Sequence, residues 1–447
     1  MIAQIAFVLA LLIGVGIFAR NVRRLIRNIN LGRKVDRTDN PAIRWKKMAK
    51  IALGQYKMVR RPISGIIHII VYIGFIIINI EILEIVIDGI FGTHRVLAST
   101  GPFYNFLIAS FEILALLVLV GVIIFWARRN IVNVYRFLAR EMTQWPKADA
   151  NYILYFEMVI MVLFLVMNAS DYQLQLNGAE NYAILGGGQI AGSFPVSQFL
   201  LPLLEGLPDA TLVVIERSAW WLHILMILFF LNYLYISKHL HILLAFPNVY
   251  FSKIRPQGEF NNIPAVTKEV QLMMDPDADP FAAPQQQEEE EQDPETFGAA
   301  DVFDLDRVQL LNAYTCTECG RCTSECPANR TGKLLSPRKI MMDTRDRLEE
   351  VGRNINKNGS FQDDGKKLLD DYILREELWA CTTCQACVEA CPVGIDPMSI
   401  IVDMRRYLMM EQSAGPADLN VAMSNIENNG APWPYNQMDR LKWAEED

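Results

Sequence analysis

The sequence predicts an all-α protein: a five-helix transmembrane bundle followed by a soluble helical domain. Three observations carry that expectation. Five apolar runs in residues 1–250 are each long enough to cross a bilayer, whose ~30 Å core needs roughly 20 residues of helix. Residues 301–412 have ordinary charge, with apolar residues at helical spacing. Between them, 251–300 is rich in Pro, Asp and Gln and reads as an acidic flexible linker. Residues 413–447 are left as a C-terminal tail suited to docking a partner. The chain has 447 residues, is 51% hydrophobic and carries a net charge of −8. That acidic balance excludes nucleic acid as a partner, because phosphate binding needs a basic face.

The predicted spans are Ile2–Ala19, about Ile63–Ile80, Phe103–Trp126, Tyr152–Ala169 and about Thr211–Ile236. The first lacks a basic leader and runs straight into Arg20, Arg23, Arg24 and Arg27, so it reads as an anchor rather than a signal peptide. The segment before the second span is densely basic through Lys46, Lys47, Lys50, Arg60 and Arg61. The loop after the third carries Arg128, Arg129, Arg136, Arg140 and Lys147, whereas the loop from Ser170 to Ala210 has no Lys or Arg. The positive-inside rule then puts the N-terminus outside and everything after the fifth span in the cytoplasm. Gly186, Gly187 and Gly188 resemble a phosphate loop only superficially, since no Lys follows.

All eight cysteines fall in the C-terminal third, in two copies of C-x2-C-x2-C-x3-C-P. One copy is Cys316, Cys319, Cys322 and Cys326; the other is Cys381, Cys384, Cys387 and Cys391. This is the spacing of two-cluster bacterial ferredoxins, in which the fourth cysteine ligates the other cluster. Three thiolates on a tight loop reach three corners of a cubane, and the fourth, past a helical turn, points away. One 4Fe-4S cluster is therefore expected on Cys316, Cys319, Cys322 and Cys391, and the second on Cys381, Cys384, Cys387 and Cys326. The proline after each run is expected to turn the chain away. Zinc sites pair C-x2-C units across a longer loop and fit poorly. The spacing is too tight and regular for disulfides, and reduced cysteines imply a reducing compartment. Arg321 and Lys333 lie close in sequence, either tuning a cluster or sitting as surface charges.

Five histidines remain: His68, His94, His223, His239 and His241. If the fifth helix runs on towards Pro247, His223 and His241 share a face five turns apart, with His239 on the opposite face. His68 and His241 then lie at matching depth in the inner leaflet, as two axial ligands of a haem b require. Intramembrane ionisable residues are functional candidates by default. His223 needs an outer-leaflet partner. His94 supplies one if Gly89 and Gly92 bend the chain back; otherwise His223 lines a quinone pocket or is structural. Glu112 and Glu157 sit inside spans, for proton transfer or helix–helix hydrogen bonding.

Five spans with His68, His223 and Ser237-Lys238-His239-Leu240-His241 resemble the cytochrome b anchors of the nitrate reductase gamma-subunit family. Ile78 stands where that family usually offers a second histidine on the second helix, so the inner haem keeps both ligands and the outer loses one. The segment from Asn312 through Cys316 to Ile401–Tyr407 resembles the iron–sulfur domain of membrane-bound heterodisulfide reductase. The resemblance implies an α-helical ferredoxin-like fold and an electron-transfer subunit of a multi-subunit oxidoreductase in a bacterial or archaeal cytoplasmic membrane. It also implies the membrane quinone pool as one partner. Family members often continue into cysteine-rich CCG domains, expected here on a separate chain. The rival readings are a self-contained disulfide or quinone reductase and a membrane redox sensor.

Overall fold

The computed structural model describes residues 1–185, 188–275, 297–434, 436–439 and 441–445. Gly186, Gly187 and the linker run Gln285–Glu291 lie outside these. Among the described residues the chain is all helix and turn, with no β-strand. Five helices are long and apolar enough to cross a membrane: Ile2–Ile29, Pro62–Phe91, Pro102–Asn130, Trp145–Leu176 and Asp209–Ile236. Each is longer than its apolar run, because basic and amphipathic flanks continue the helix beyond the hydrocarbon. Arg20 to Arg27, for instance, ride on the end of the first span. Pro62 and Pro102 open the second and third spans, where a missing N–H costs nothing.

The fourth span is the hub. Half of its apolar window is buried, against 11% for the first. The second and third spans approach closely where Gly74 meets Val118 and Gly121 meets Ile67 and Val71, the small-residue packing that substitutes for a hydrophobic drive in lipid. At one end of the bundle the loop after the second span folds Arg95 between the helices. Its guanidinium donates to Asp171 (2.9 Å), Tyr104 (2.9 Å) and Asn168 (3.0 Å). Glu112 accepts from Asn168 and from the backbone N–H groups of Val196 and Ser197. It therefore fastens one loop to two helices.

The fifth helix does not run on to Pro247 in one piece. Regular α-helix ends at Tyr233, Ser237 adopts extended backbone (ψ 148°), and a new helix begins at His241 and passes through Pro247 to Phe251. Asp149 holds the break, accepting from Tyr233 Oη (2.7 Å) and the Lys238 backbone N–H (3.1 Å). The expectation that His223 and His241 share a helical face five turns apart therefore fails, and so does the placing of His239 opposite His241.

The C-terminal domain is built round the helix Pro337–Asn358, whose buried face includes Met341, Leu348 and Val351. Leu310, Leu348, Ile400 and Met404 form one hydrophobic core with Leu25, Leu234 and Leu240, from the C-terminal ends of the first and fifth spans and the turn that follows. The soluble domain is thus packed onto the bundle. Ala299 already belongs to this core and Ala300 is buried beside it in sequence, and Pro264–Met274 is helical, so the described ends of the segment between the domains are ordered elements. The tail forms a helix, Ala417–Asn429, with no buried residue.

Candidate functional site

The two cysteine runs fold alike. Glu318 and Thr383, equivalent in the repeat, both have φ +55°; Gly320 (+69°) and Gln385 (+59°) match in the same way. These left-handed turns wind each loop before a one-turn helix, Arg321–Glu325 or Ala386–Ala390. Cys326 and Cys391 follow with extended backbone. The prolines differ from expectation: Pro327 opens a helical turn to Arg330 rather than only diverting the chain.

A cavity is lined by Cys316, Cys319 and Cys322 together with Cys391 and Cys387. Cys381 and Cys387 lie within electrostatic reach of Cys326, and Cys381 also of Cys384. Cys391 of the second run thus joins the first run at one cavity, with Cys387 also on its lining, and Cys326 lies near Cys381 and Cys387. All eight are free. Among the described residues no three His, Cys, Asp or Glu side chains close round a single ion. Burial pushes the Cys316 thiol up to about 12 and Cys322 well above the ordinary value, with the neighbouring thiols adding to the effect. Several thiolates in one dry cavity need cationic metal to be tenable. Backbone N–H groups of Thr383 and Ile395 already point at the sulfurs of Cys381 (3.4 Å) and Cys391 (3.3 Å).

The first run rests on the membrane domain. Lys238, in the break of the fifth helix, is buried against Glu318, whose other oxygen takes Arg345 Nη1 at 2.8 Å. Arg136 donates to the Cys319 carbonyl (2.9 Å), and Arg321 to the carbonyls of Lys57 (3.1 Å) and Met58. Arg338, fully buried, bridges Glu141 and the Arg136 carbonyl. Arg321 is therefore buried at the interface rather than a surface charge, while Lys333 is exposed. Of the second run, only the far end touches the bundle: Lys57 donates to the Glu389 carbonyl (3.0 Å) and Asn248 to that of Val393 (2.9 Å). Cys384 is the exposed cysteine of the eight.

On the membrane side, the rings of His68 and His241 lie with centroids 6.4 Å apart and planes tilted by 41°. His239 lies beside them, its ring 5.3 Å from that of His241 and its Nε2 3.5 Å from Glu157. The other predicted pair is not brought together. His94 faces Asp171 (3.0 Å) and Tyr182, whereas His223 Nδ1 meets the Ile160 carbonyl (3.1 Å) beside Phe164.

Residues 315–395 match the model of the 4Fe-4S dicluster domain. The chain carries an iron–sulfur dicluster domain and is related to iron–sulfur oxidoreductases. It is 29% identical, over 98% of its own length, to a probable iron-sulfur-binding oxidoreductase, FadF, of Bacillus subtilis, and spans 60% of that relative. It is 23% identical over 92% of its length to the EtfAB:quinone oxidoreductase of Syntrophomonas wolfei, spanning 55% of it. A quarter of the chain (25%) is 33% identical to one subunit of the ferredoxin/F(420)H(2)-dependent CoB-CoM heterodisulfide reductase of Methanosarcina acetivorans, covering 55% of that relative. The chain therefore spans little more than half the length of these curated relatives. No solved structure matches it.

Sequence reasoning missed the residues that join the dicluster domain to the bundle: Lys238, Glu318, Arg136, Glu141 and Arg338. Lys238 carried a usable signal, being a lysine at the end of an apolar run and next to two histidines. The others look like ordinary loop charges until the domains meet.

Proposed function

We propose that the chain is the membrane-anchored electron-transfer subunit of an oxidoreductase, passing electrons between the quinone pool and a soluble redox partner. Cys316, Cys319, Cys322 and Cys391 hold the 4Fe-4S cluster nearer the membrane; Cys381, Cys384, Cys387 and Cys326 hold the outer one. His68 and His241 hold one haem b. The observation that carries this reading is the 6.4 Å separation of the two rings, with His241 three residues along the chain from the Lys238 that meets Glu318 of the first cysteine loop. Each imidazole would supply one nitrogen to the haem iron.

The surroundings of the pair fit as well. His241 Nδ1 meets the Lys238 carbonyl at 3.1 Å, the arrangement that fixes a ligand tautomer and leaves Nε2 free. His68 Nδ1 is buried without a partner. Haem b and the clusters supply one-electron chemistry when bound; the chain sets their order. The Ser237–His241 break sets Lys238 against Glu318 of the first run three residues before His241, and the exposed Cys384 is where a partner would reach the second run. His94 and His223 are left out of this reading, because among the described residues the aromatic neighbours are Tyr182 for His94 and Phe164 for His223, and neither faces a second histidine.

The basic loops meet the dicluster domain, so the positive-inside rule gives that domain to the cytoplasm. Quinone as the membrane reactant is supported by the name of the Syntrophomonas relative. A heterodisulfide reductase subunit among the relatives supports assembly with further subunits, a CCG-domain chain being our proposal for one. The test is an optical spectrum with haem and iron quantification on the purified membrane protein. One reducible b-type haem, lost in His68→Ala and His241→Ala, is expected. Its absence from the wild-type protein would sink the haem assignment and leave the clusters standing.

A further inference from the structure

The ion group that seats the first cysteine loop on the membrane domain is poorly suited to being glue alone. Lys238 is 8% exposed and Glu318 2%. Taking both charges out of water costs several kcal/mol per ion, and an apolar pair of similar volume generally serves docking as well or better. An apolar alternative is already at hand, because Leu234 and Leu240 flank Lys238 in a core shared with the dicluster domain. What buried charges do supply, and apolar residues cannot, is a fixed field in a medium of low dielectric.

Their position makes that field matter. Glu318 sits between Cys316 and Cys319, and its left-handed backbone (φ 55°) is part of the loop that bends round the first cavity. Lys238 is three residues from His241, on the turn that leads into it, and Arg345 comes from the helix Pro337–Asn358. Asp149 stands 3.8 Å from Lys238 Nζ. Arg345 also meets Asp346 (3.1 Å) and Arg129 lies within electrostatic reach of Glu318, Asp149 and Lys238, so three cations and three carboxylates balance around Glu318. In the second run the equivalent residue is Thr383, whose hydroxyl merely donates to the Thr382 carbonyl (2.7 Å). The repeat is symmetric in backbone and asymmetric in charge.

We infer that Lys238 and Glu318 are positioning residues that set the electron affinity of the first cluster apart from that of the second. The inference rests on the cluster assignment proposed above. Glu318→Gln leaves the local balance one unit positive, favouring the reduced, more negative cluster; Lys238→Met leaves it one unit negative and disfavours that state.

The experiment is a potentiometric titration, read by electron paramagnetic resonance, of the full-length protein with its clusters. Glu318→Gln is expected to raise the electron affinity of one cluster about tenfold, or about 59 mV for a one-electron couple. Lys238→Met is expected to lower the affinity of the same cluster by a similar factor. The double variant should return it to within about threefold of the wild type, and the other cluster should hold still throughout. Shifts of the same sign in both single variants, or none, overturn the inference, because a merely structural pair has no reason to give opposite signs. Should Glu318→Gln lose its cluster, Lys238→Met lies outside the cysteine loops and decides alone: a tenfold fall supports the inference and no shift overturns it. Absence of two 4Fe-4S signals from the wild type would instead overturn the cluster assignment, and this inference with it.

Discussion

The two cysteine runs share a spacing and a backbone but sit in different surroundings. The first is clamped to the membrane bundle by Lys238, Arg136 and Arg61, and its Arg321 reaches back into the bundle's loop. The leading loop of the second touches only its own domain, where Arg405 donates to the carbonyls of Leu378 and Cys381 and stacks on Trp379. Duplication gives two equivalent sockets, and the side chains around them then give one socket a membrane face and the other a solvent face. An electron path needs that polarity, with one end close to the donor and the other open to the acceptor.

The strongest way to break the comparison is to remove the crossing. Cys391→Ala alters the second run, yet it is expected to abolish the membrane-side cluster and leave the outer one. Cys326→Ala should do the reverse. Each is expected to retain about half the wild-type iron, with one cluster signal surviving. If Cys391→Ala spares the membrane-side signal, the sets are not crossed and the two runs are independent.

A smaller effect separates the two sockets by how they are held. Arg338→Met leaves Glu141 buried without its guanidinium, an arrangement that typically costs about 3–5 kcal/mol. Arg405→Met loses hydrogen bonds to carbonyls at a half-buried site, for about 1–2 kcal/mol. Thermal unfolding of the two variants should rank them in that order, and equal shifts would mean that the membrane contact adds nothing to the first socket. Smaller still is the exchange at the matched left-handed position. A Cβ on Gly320 would stand 2.5 Å from Arg338 Nη1, so Gly320→Ala should destabilise by about 1–2 kcal/mol or more. Gln385→Gly should be neutral or stabilising by up to about 1 kcal/mol. It relieves a left-handed non-glycine residue and removes a buried amide nitrogen without a partner.

The contrast between the runs also marks where sequence reading stopped. The cysteine spacing was legible because a cubane imposes local geometry, and the spans because a bilayer imposes a length. The pairing of His68 with His241 followed from depth alone. The route to it was wrong, since the helix breaks at Ser237. That break is set by Asp149, 88 residues away on the fourth span, and periodicity has no access to such a contact. Arg60, Arg61 and Arg136 were legible only as topology signals. Their second role, in pairing with Glu389, Glu325 and the Cys319 carbonyl, exists only once a domain over 180 residues downstream folds back on them. Glu112 was open between proton transfer and fastening two helices, and its backbone donors favour the second.

The smallest expected effect is on pH and salt, and it too should differ between the two sides. Burial raises the Glu141 carboxyl, but the Ser336 hydroxyl and the Arg338 guanidinium outweigh it and hold the group below its usual range. A carboxyl depressed in the folded state binds its proton more readily when unfolded. Its contribution is thus fully present above about pH 4.3 and lost as pH falls through that value towards the folded one. Glu389 is depressed chiefly by Arg60 and has the same sign, but both side chains are nearly half exposed, so water and salt already screen the pair. Lowering the pH from 7 to 4 should therefore lower the melting temperature of the wild type, and Glu141→Gln should flatten that dependence while Glu389→Gln barely changes it. In 1 M salt, where screening reaches about 3 Å, the residual effect of Glu389→Gln should vanish and that of Glu141→Gln should persist. If salt erases both, Arg338 and Glu141 are in contact with solvent, and the clamp on the membrane-side socket is no tighter than the contacts of the outer one.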